Sequence, residues 1–115
     1  DNGCMYMVPG SHTWGNQQKQ IDLLPDGVDL PDQFDGHPLY FVMCPVKKGH
    51  VHFHHSLTWH GSGTNHSSRP RRAIAIHYLT EKTAFTSQGD HIMKPFIAVQ
   101  DGAPIQGDAF PQVWP

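Results

Sequence analysis

Long apolar runs, a cysteine framework and an excess of positive charge are all missing from this sequence, and each absence narrows what it can be. No apolar stretch approaches the roughly 20 residues of a membrane span, so a transmembrane helix is not expected. Cys4 and Cys44 are the only cysteines. Two thiols make no disulfide scaffold and fit a reducing compartment, so the expected location is the cytoplasm. Lys and Arg number 8 against 10 Asp and Glu, a formal charge of −2, which gives no electrostatic footprint for nucleic acid. Long proline- and glycine-free windows are also scarce. Ten prolines and eleven glycines interrupt the 115 residues and leave no room for a long amphipathic helix. The length allows at most one domain with a modest core.

What is present reads as short strands separated by turns. Cys4 to Val8 is an apolar run closed by Pro9-Gly10, and Leu39 to Cys44 is a second run closed by Pro45. Lys48-Gly49 turns into a third predicted strand, His50 to Trp59. Arg71 to Leu79 is a fourth and Pro95 to Val99 a fifth. Residues 15 to 36 are polar and rich in Asp, Pro and Gly, and read as an excursion or lid. Residues 100 to 115 read as an extended strap whose Phe110 and Trp114 pack on the outside of a barrel. The expected class is all-β, a sandwich or barrel. Asp1-Asn2-Gly3 has the look of a turn between strands, so the chain is expected to be the C-terminal part of something longer.

Chemistry concentrates between residues 50 and 72, HVHFHHSLTWHGSGTNHSSRPRR, which holds six of ten histidines and all three arginines. Side chains alternate faces along a strand. His50, His52, His54, Thr58 and His60 therefore share one face, and Val51, Phe53, Leu57 and Trp59 share the other with His55. On the next strand Arg71, Ala73, Ala75 and His77 lie opposite Ile74, Ile76 and Tyr78. Two alanines beside an arginine leave space for a small anion. A single strand histidine is most often structural and paired arginines are most often a solvated edge, so pattern alone leaves a metal site and a plain polar surface both open.

"NGCMYMVPGSH", then "HGSGTN", then "RPRRAIAIHY", in that order, resemble the phytanoyl-CoA dioxygenase family of Fe(II)/2-oxoglutarate-dependent oxygenases. The likeness covers roughly residues 2 to 80, and the closing FPQVWP is also similar to bacterial members. It implies the C-terminal half of a double-stranded β-helix, a jelly-roll or cupin-like barrel, with residues 1–115 as one part of a single domain. By the resemblance, His60 falls at an iron-binding histidine and Arg71, eleven residues later, at the arginine that grips the distal carboxylate of 2-oxoglutarate. Ser62 falls at a hydroxyl that helps hold the same carboxylate, and His12 at a contact near the cosubstrate. His55 matches a structural histidine, and Asn65 is expected to fix the turn after HGSG. The implied cofactors are Fe(II) and 2-oxoglutarate, with ascorbate as an accessory reductant. The implied partners are O2 and a small-molecule substrate, which is hydroxylated as 2-oxoglutarate is decarboxylated to succinate.

These residue types suit that chemistry. Such oxygenases hold iron by two histidines and one carboxylate on one triangular face. Arginine's planar fork matches a carboxylate with two parallel charge-assisted hydrogen bonds. One departure from the family pattern is large: no histidine in the sequence is followed two places later by Asp or Glu. The His-x-Asp pair is expected upstream, in an N-terminal half of the same domain. Two other outcomes stay open: a non-catalytic cupin-like module binding metal through His50, His52 and His54, and a halogenase-type relative lacking the ligating carboxylate. Residues 15 to 36 carry Asp22, Asp26, Asp29, Asp32 and Asp35 against Lys19, which favours a small neutral or cationic substrate over a large anion such as an acyl-CoA.

Overall fold

The computed structural model describes residues 2–15 and 31–114, and most of the predicted 15–36 excursion lies outside them. The chain divides into two compact units, Asp1–Ala73 and Ile74–Pro115. The described residues contain short antiparallel strands and two 3-10 turns, with no α-helix among them, so the class is all-β.

The first unit is built on a three-stranded antiparallel sheet. Its strands are β1 (Met5–Met7), β4 (Val42–Cys44) and β5 (His60–Ser62), and β1 lies in the centre. Met5 stands opposite Cys44 and Ser62, and Met7 opposite Val42 and His60. Directly opposed residues share a face, so His60 and Ser62 lie on one side with Met5, Met7, Val42 and Cys44. The central strand ends where Pro9 removes the next ladder donor. Gly10 then leads into a 3-10 turn, Ser11–Thr13. Met7 and Val8 are buried together with Leu39.

A two-stranded hairpin joins β2 (Gln33–Phe34) to β3 (His37–Pro38). Its turn is Asp35-Gly36, with φ of 49° and 77°. Positive φ at both central residues is what a two-residue hairpin of right-twisted strands requires. Aromatic contacts tie the hairpin to the rest of the unit. Phe34 meets Trp59 edge-on at 4.7 Å, Trp14 meets Trp59 edge-on at 5.3 Å, and Trp14 stacks on His37 at 4.7 Å.

Several predicted strands are corrected. Of Leu39 to Cys44, only Val42–Cys44 pairs. His50 to Trp59 forms no strand; it contains a turn in which the Thr58 N–H donates to the His55 carbonyl at 2.9 Å, and pairing begins one residue later at His60. Arg71 to Leu79 forms no strand. Ile74 is 91 % exposed, and β propensity is expressed only where a neighbouring strand supplies packing. Pro95 lies in a 3-10 turn, Lys94–Phe96, because its fixed φ suits the first turn of a helix better than a ladder.

The second unit is held by an antiparallel bridge between Ala84 and Pro104, flanked by hydrogen bonds linking Phe85 with Ala103 and Gly102. Lys94 Nζ donates to the carbonyls of Ser87 and Gly89 at 2.7 and 2.9 Å, and the Ser87 N–H donates to the Asp101 carboxylate. Phe110 is half-buried and Trp114 is 82 % exposed. Cys4 and Cys44 are free. No helix among the described residues is long and apolar enough to cross a membrane.

Candidate functional site

His60 opens β5 and Ser62 closes it, so the two polar side chains project from one face, two positions apart. His60 Nδ1 lies 2.7 Å from the Thr58 carbonyl oxygen. A carbonyl only accepts, so Nδ1 carries the proton and the lone pair of the neutral ring is left on Nε2. This is how a metal-binding histidine is prepared: one nitrogen is tied by a backbone acceptor and the other is presented as the donor. His54 sits beside it, with ring centroids 4.7 Å apart, and His52 lies 5.4 Å from His54. On a straight strand His54 and His60 would stand about 20 Å apart. The turn at His55–Thr58 folds the chain back and brings them together.

Arg71 is exposed and follows a turn built by Asn65. Asn65 Nδ2 donates to the Arg69 carbonyl at 2.8 Å, while its Oδ1 accepts the Ser67 N–H at 3.0 Å. Asn65 thus fixes the turn after HGSG, as its side-chain chemistry suggests. The same segment meets the start of the chain. A Cβ built on Gly3 would lie 2.6 Å from the Gly63 carbonyl oxygen and 3.2 Å from the Asn65 nitrogen. The separate NG and HGSGTN motifs are therefore one packed unit.

His12 is exposed and its ring lies 5.5 Å from that of His55. The neighbour the sequence analysis passed over is Ser11, which is completely buried. Its hydroxyl donates to the Val8 carbonyl at 2.8 Å and accepts the Trp59 N–H at 2.8 Å. A serine placed just after a strand-ending Pro-Gly was the available signal, because short hydroxyls bond nearby backbone groups at turns.

Among the described residues no group of three or more His, Cys, Asp or Glu side chains is placed to hold a metal ion. The trio His50, His52 and His54 therefore does not form the cupin-like site considered from its alternate spacing. His60 fits an iron centre as one ligand, and the described residues do not complete the set.

The phytanoyl-CoA dioxygenase family model matches residues 1–73. The chain is 30 % identical over 94 residues to phytanoyl-CoA dioxygenase domain-containing protein 1 of Mus musculus, covering 78 % of this chain and 32 % of that protein. It is 34 % identical over 83 residues to the peroxisomal phytanoyl-CoA dioxygenase of Bos taurus, covering 68 % and 24 % respectively. Dioxygenase cdmA of Talaromyces verruculosus is 28 % identical over 104 residues, covering 90 % of this chain and 30 % of the fungal protein. The chain spans about a third or less of the length of these relatives. No solved structure matches it. The ordered motifs and the family match over the whole of the first unit agree that this chain belongs to the phytanoyl-CoA dioxygenase family.

Proposed function

We propose that this chain is the C-terminal part of a double-stranded β-helix in a non-haem Fe(II)/2-oxoglutarate-dependent dioxygenase that hydroxylates a small organic substrate. The observation that carries the reading is His60: its Nδ1 is tied to a backbone carbonyl, its Nε2 lone pair is left to donate, and Ser62 shares its face. His60 supplies one iron ligand. Arg71 and Ser62 hold the distal carboxylate of 2-oxoglutarate, and His12 lies toward the cosubstrate. The remaining His-x-Asp ligands come from an N-terminal half of the same domain. When bound, iron and 2-oxoglutarate supply the oxidation: one atom of O2 enters succinate as CO2 leaves, and the other becomes the substrate's hydroxyl. The chain's own residues orient the ring and the keto acid and set what else approaches.

The Bos taurus relative is named for phytanoyl-CoA. Five aspartates against one lysine in residues 15–36 favour a neutral or cationic substrate here. Two free cysteines fit a cytoplasmic setting.

The test is a comparison of variants in the full-length protein. Arg71→Ala is expected to weaken 2-oxoglutarate by about 30-fold or more and leave Fe(II) binding nearly unchanged. Arg71→Lys keeps the charge, loses the fork, and is expected to be less impaired. His60→Ala should show the reverse order, with Fe(II) lost first. Arg72→Ala is the control. If it weakens 2-oxoglutarate and Arg71→Ala does not, the anchor is misassigned; Fe(II) binding unchanged by His60→Ala refutes the ligand.

A further inference from the structure

The rung that should follow the last pair of β1 and β5 is altered by a side chain. The ladder ends at Met7 and His60, and continuing its register by one residue would set Val8 opposite Trp59. In an antiparallel ladder such a pair exchanges two backbone hydrogen bonds. One is present: the Val8 N–H donates to the Trp59 carbonyl at 2.9 Å. The other is replaced by a relay through Ser11, whose hydroxyl accepts from the Trp59 N–H at 2.8 Å and donates to the Val8 carbonyl at 2.8 Å. The hydroxyl is fully buried, so no water competes for either bond.

The Trp59 N–H belongs to the same peptide group as the Thr58 carbonyl, and that carbonyl accepts the Nδ1–H of His60 at 2.7 Å. A single planar unit therefore joins the buried serine to the imidazole. The chain of donors runs from His60 Nδ1 to the Thr58 oxygen, then from the Trp59 N–H to Ser11, and from Ser11 to Val8. Successive hydrogen bonds of this kind polarise one another, which makes the Thr58 oxygen a better acceptor. The Trp59 side chain is itself fixed by edge-on contacts with Trp14 and Phe34.

We infer that Ser11 is a positioning residue for His60, acting through the Thr58–Trp59 peptide group to fix the ring's orientation and keep its proton on Nδ1. The structural effect stands on hydrogen bonds alone; its importance for activity rests on the reading of His60 as an iron ligand. The sequence resemblance singled out the adjacent His12 in the same turn, yet it is the serine hydroxyl that accepts the Trp59 N–H.

The experiment measures the protonated nitrogen of His60 directly, by long-range proton–nitrogen NMR correlation on the metal-free full-length protein at a pH where the ring is neutral. The wild type is expected to show Nδ1–H. Ser11→Ala is expected to give a mixture of the two tautomers, and to weaken Fe(II) binding by about 10- to 100-fold, as losing an outer partner of a metal ligand does. Leu39→Ala removes a buried side chain elsewhere in the same unit and serves as the stability control. It should leave the tautomer unchanged and weaken Fe(II) less than Ser11→Ala. Should Ser11→Ala fail to fold, Ser11→Cys keeps a similar volume with a weaker donor, and the same criterion applies. The inference is overturned if wild-type His60 carries its proton on Nε2, or if the folded variant keeps Nδ1–H unchanged. If the tautomer shifts but wild-type His60 does not bind Fe(II), the relay stands and the iron reading fails.

Discussion

At the scale of single residues, Gly3 and Gly36 show how one substitution separates strain from collision. Both have positive φ, 68° and 77°, so alanine at either costs about 1–2 kcal/mol of backbone strain. Gly36 has nothing within 4 Å of a built Cβ, and its cost should end there. At Gly3 the Cβ would meet the backbone of Gly63 and Asn65, which cannot rotate away. Gly3→Ala is therefore expected to destabilise clearly more than Gly36→Ala in denaturant unfolding of the full-length protein. Equal losses would mean that the NG and HGSGTN segments are not packed as described. Asp101 gives a residue-scale dependence on pH. The Ser87 backbone N–H and then the Ser87 hydroxyl hold its carboxyl below the ordinary value of 3.8, with a smaller contribution from Lys94. A lowered folded pKa means that the stabilisation is full above pH 3.8 and is lost as pH falls through the depressed value. The Ser87 amide resonance is expected to titrate below pH 3.8 and to lose that response in Asp101→Asn.

At the scale of elements, faces were easier to read than hydrogen-bond ladders. Alternation grouped His50, His52, His54, Thr58 and His60 on one face of a strand that does not form, yet the rings of His52, His54 and His60 still make a chain of contacts. The mechanism differs from a single strand, because the turn at His55–Thr58 closes the distance. No local pattern marks that turn, since Ser56, Leu57 and Thr58 include neither Gly nor Pro. The run from Arg71 to Leu79 has strand composition but no partner among the described residues, and composition cannot report a missing neighbour. Conversely, the Asp35-Gly36 hairpin was legible as a tight-turn dipeptide between Phe34 and His37, and was absorbed into a broad polar excursion instead. The site divides the same way. His60 and Ser62 are singled out by the family motif, whereas the bonds of Ser11 depend on burial and on a contact 48 residues away in sequence, which no local pattern shows.

At the scale of the whole molecule, the balance between buried and exposed apolar groups decides how these 115 residues behave by themselves. Three apolar side chains are buried among the described residues: Met7, Val8 and Leu39. Against them, Phe53 is 77 % exposed in the first unit, and Ile74 and Ile92 are 91 % and 83 % exposed in the second. Burial of apolar area is the main favourable term in folding, and so small a core leaves little to offset the entropy of ordering the chain. Open strand edges add unpaired donors and acceptors that a second copy can satisfy. The isolated chain is therefore expected to self-associate at micromolar concentrations, and sedimentation across a dilution series measures this. It is also expected to make no succinate from 2-oxoglutarate with Fe(II) and ascorbate, because no His-x-Asp pair is present to complete the iron site. Both outcomes follow from the proposed reading, in which chain beyond these residues completes the fold and the iron site. A cooperative monomeric unfolding transition at high dilution, together with iron-dependent turnover, would show that the 115 residues are sufficient for both.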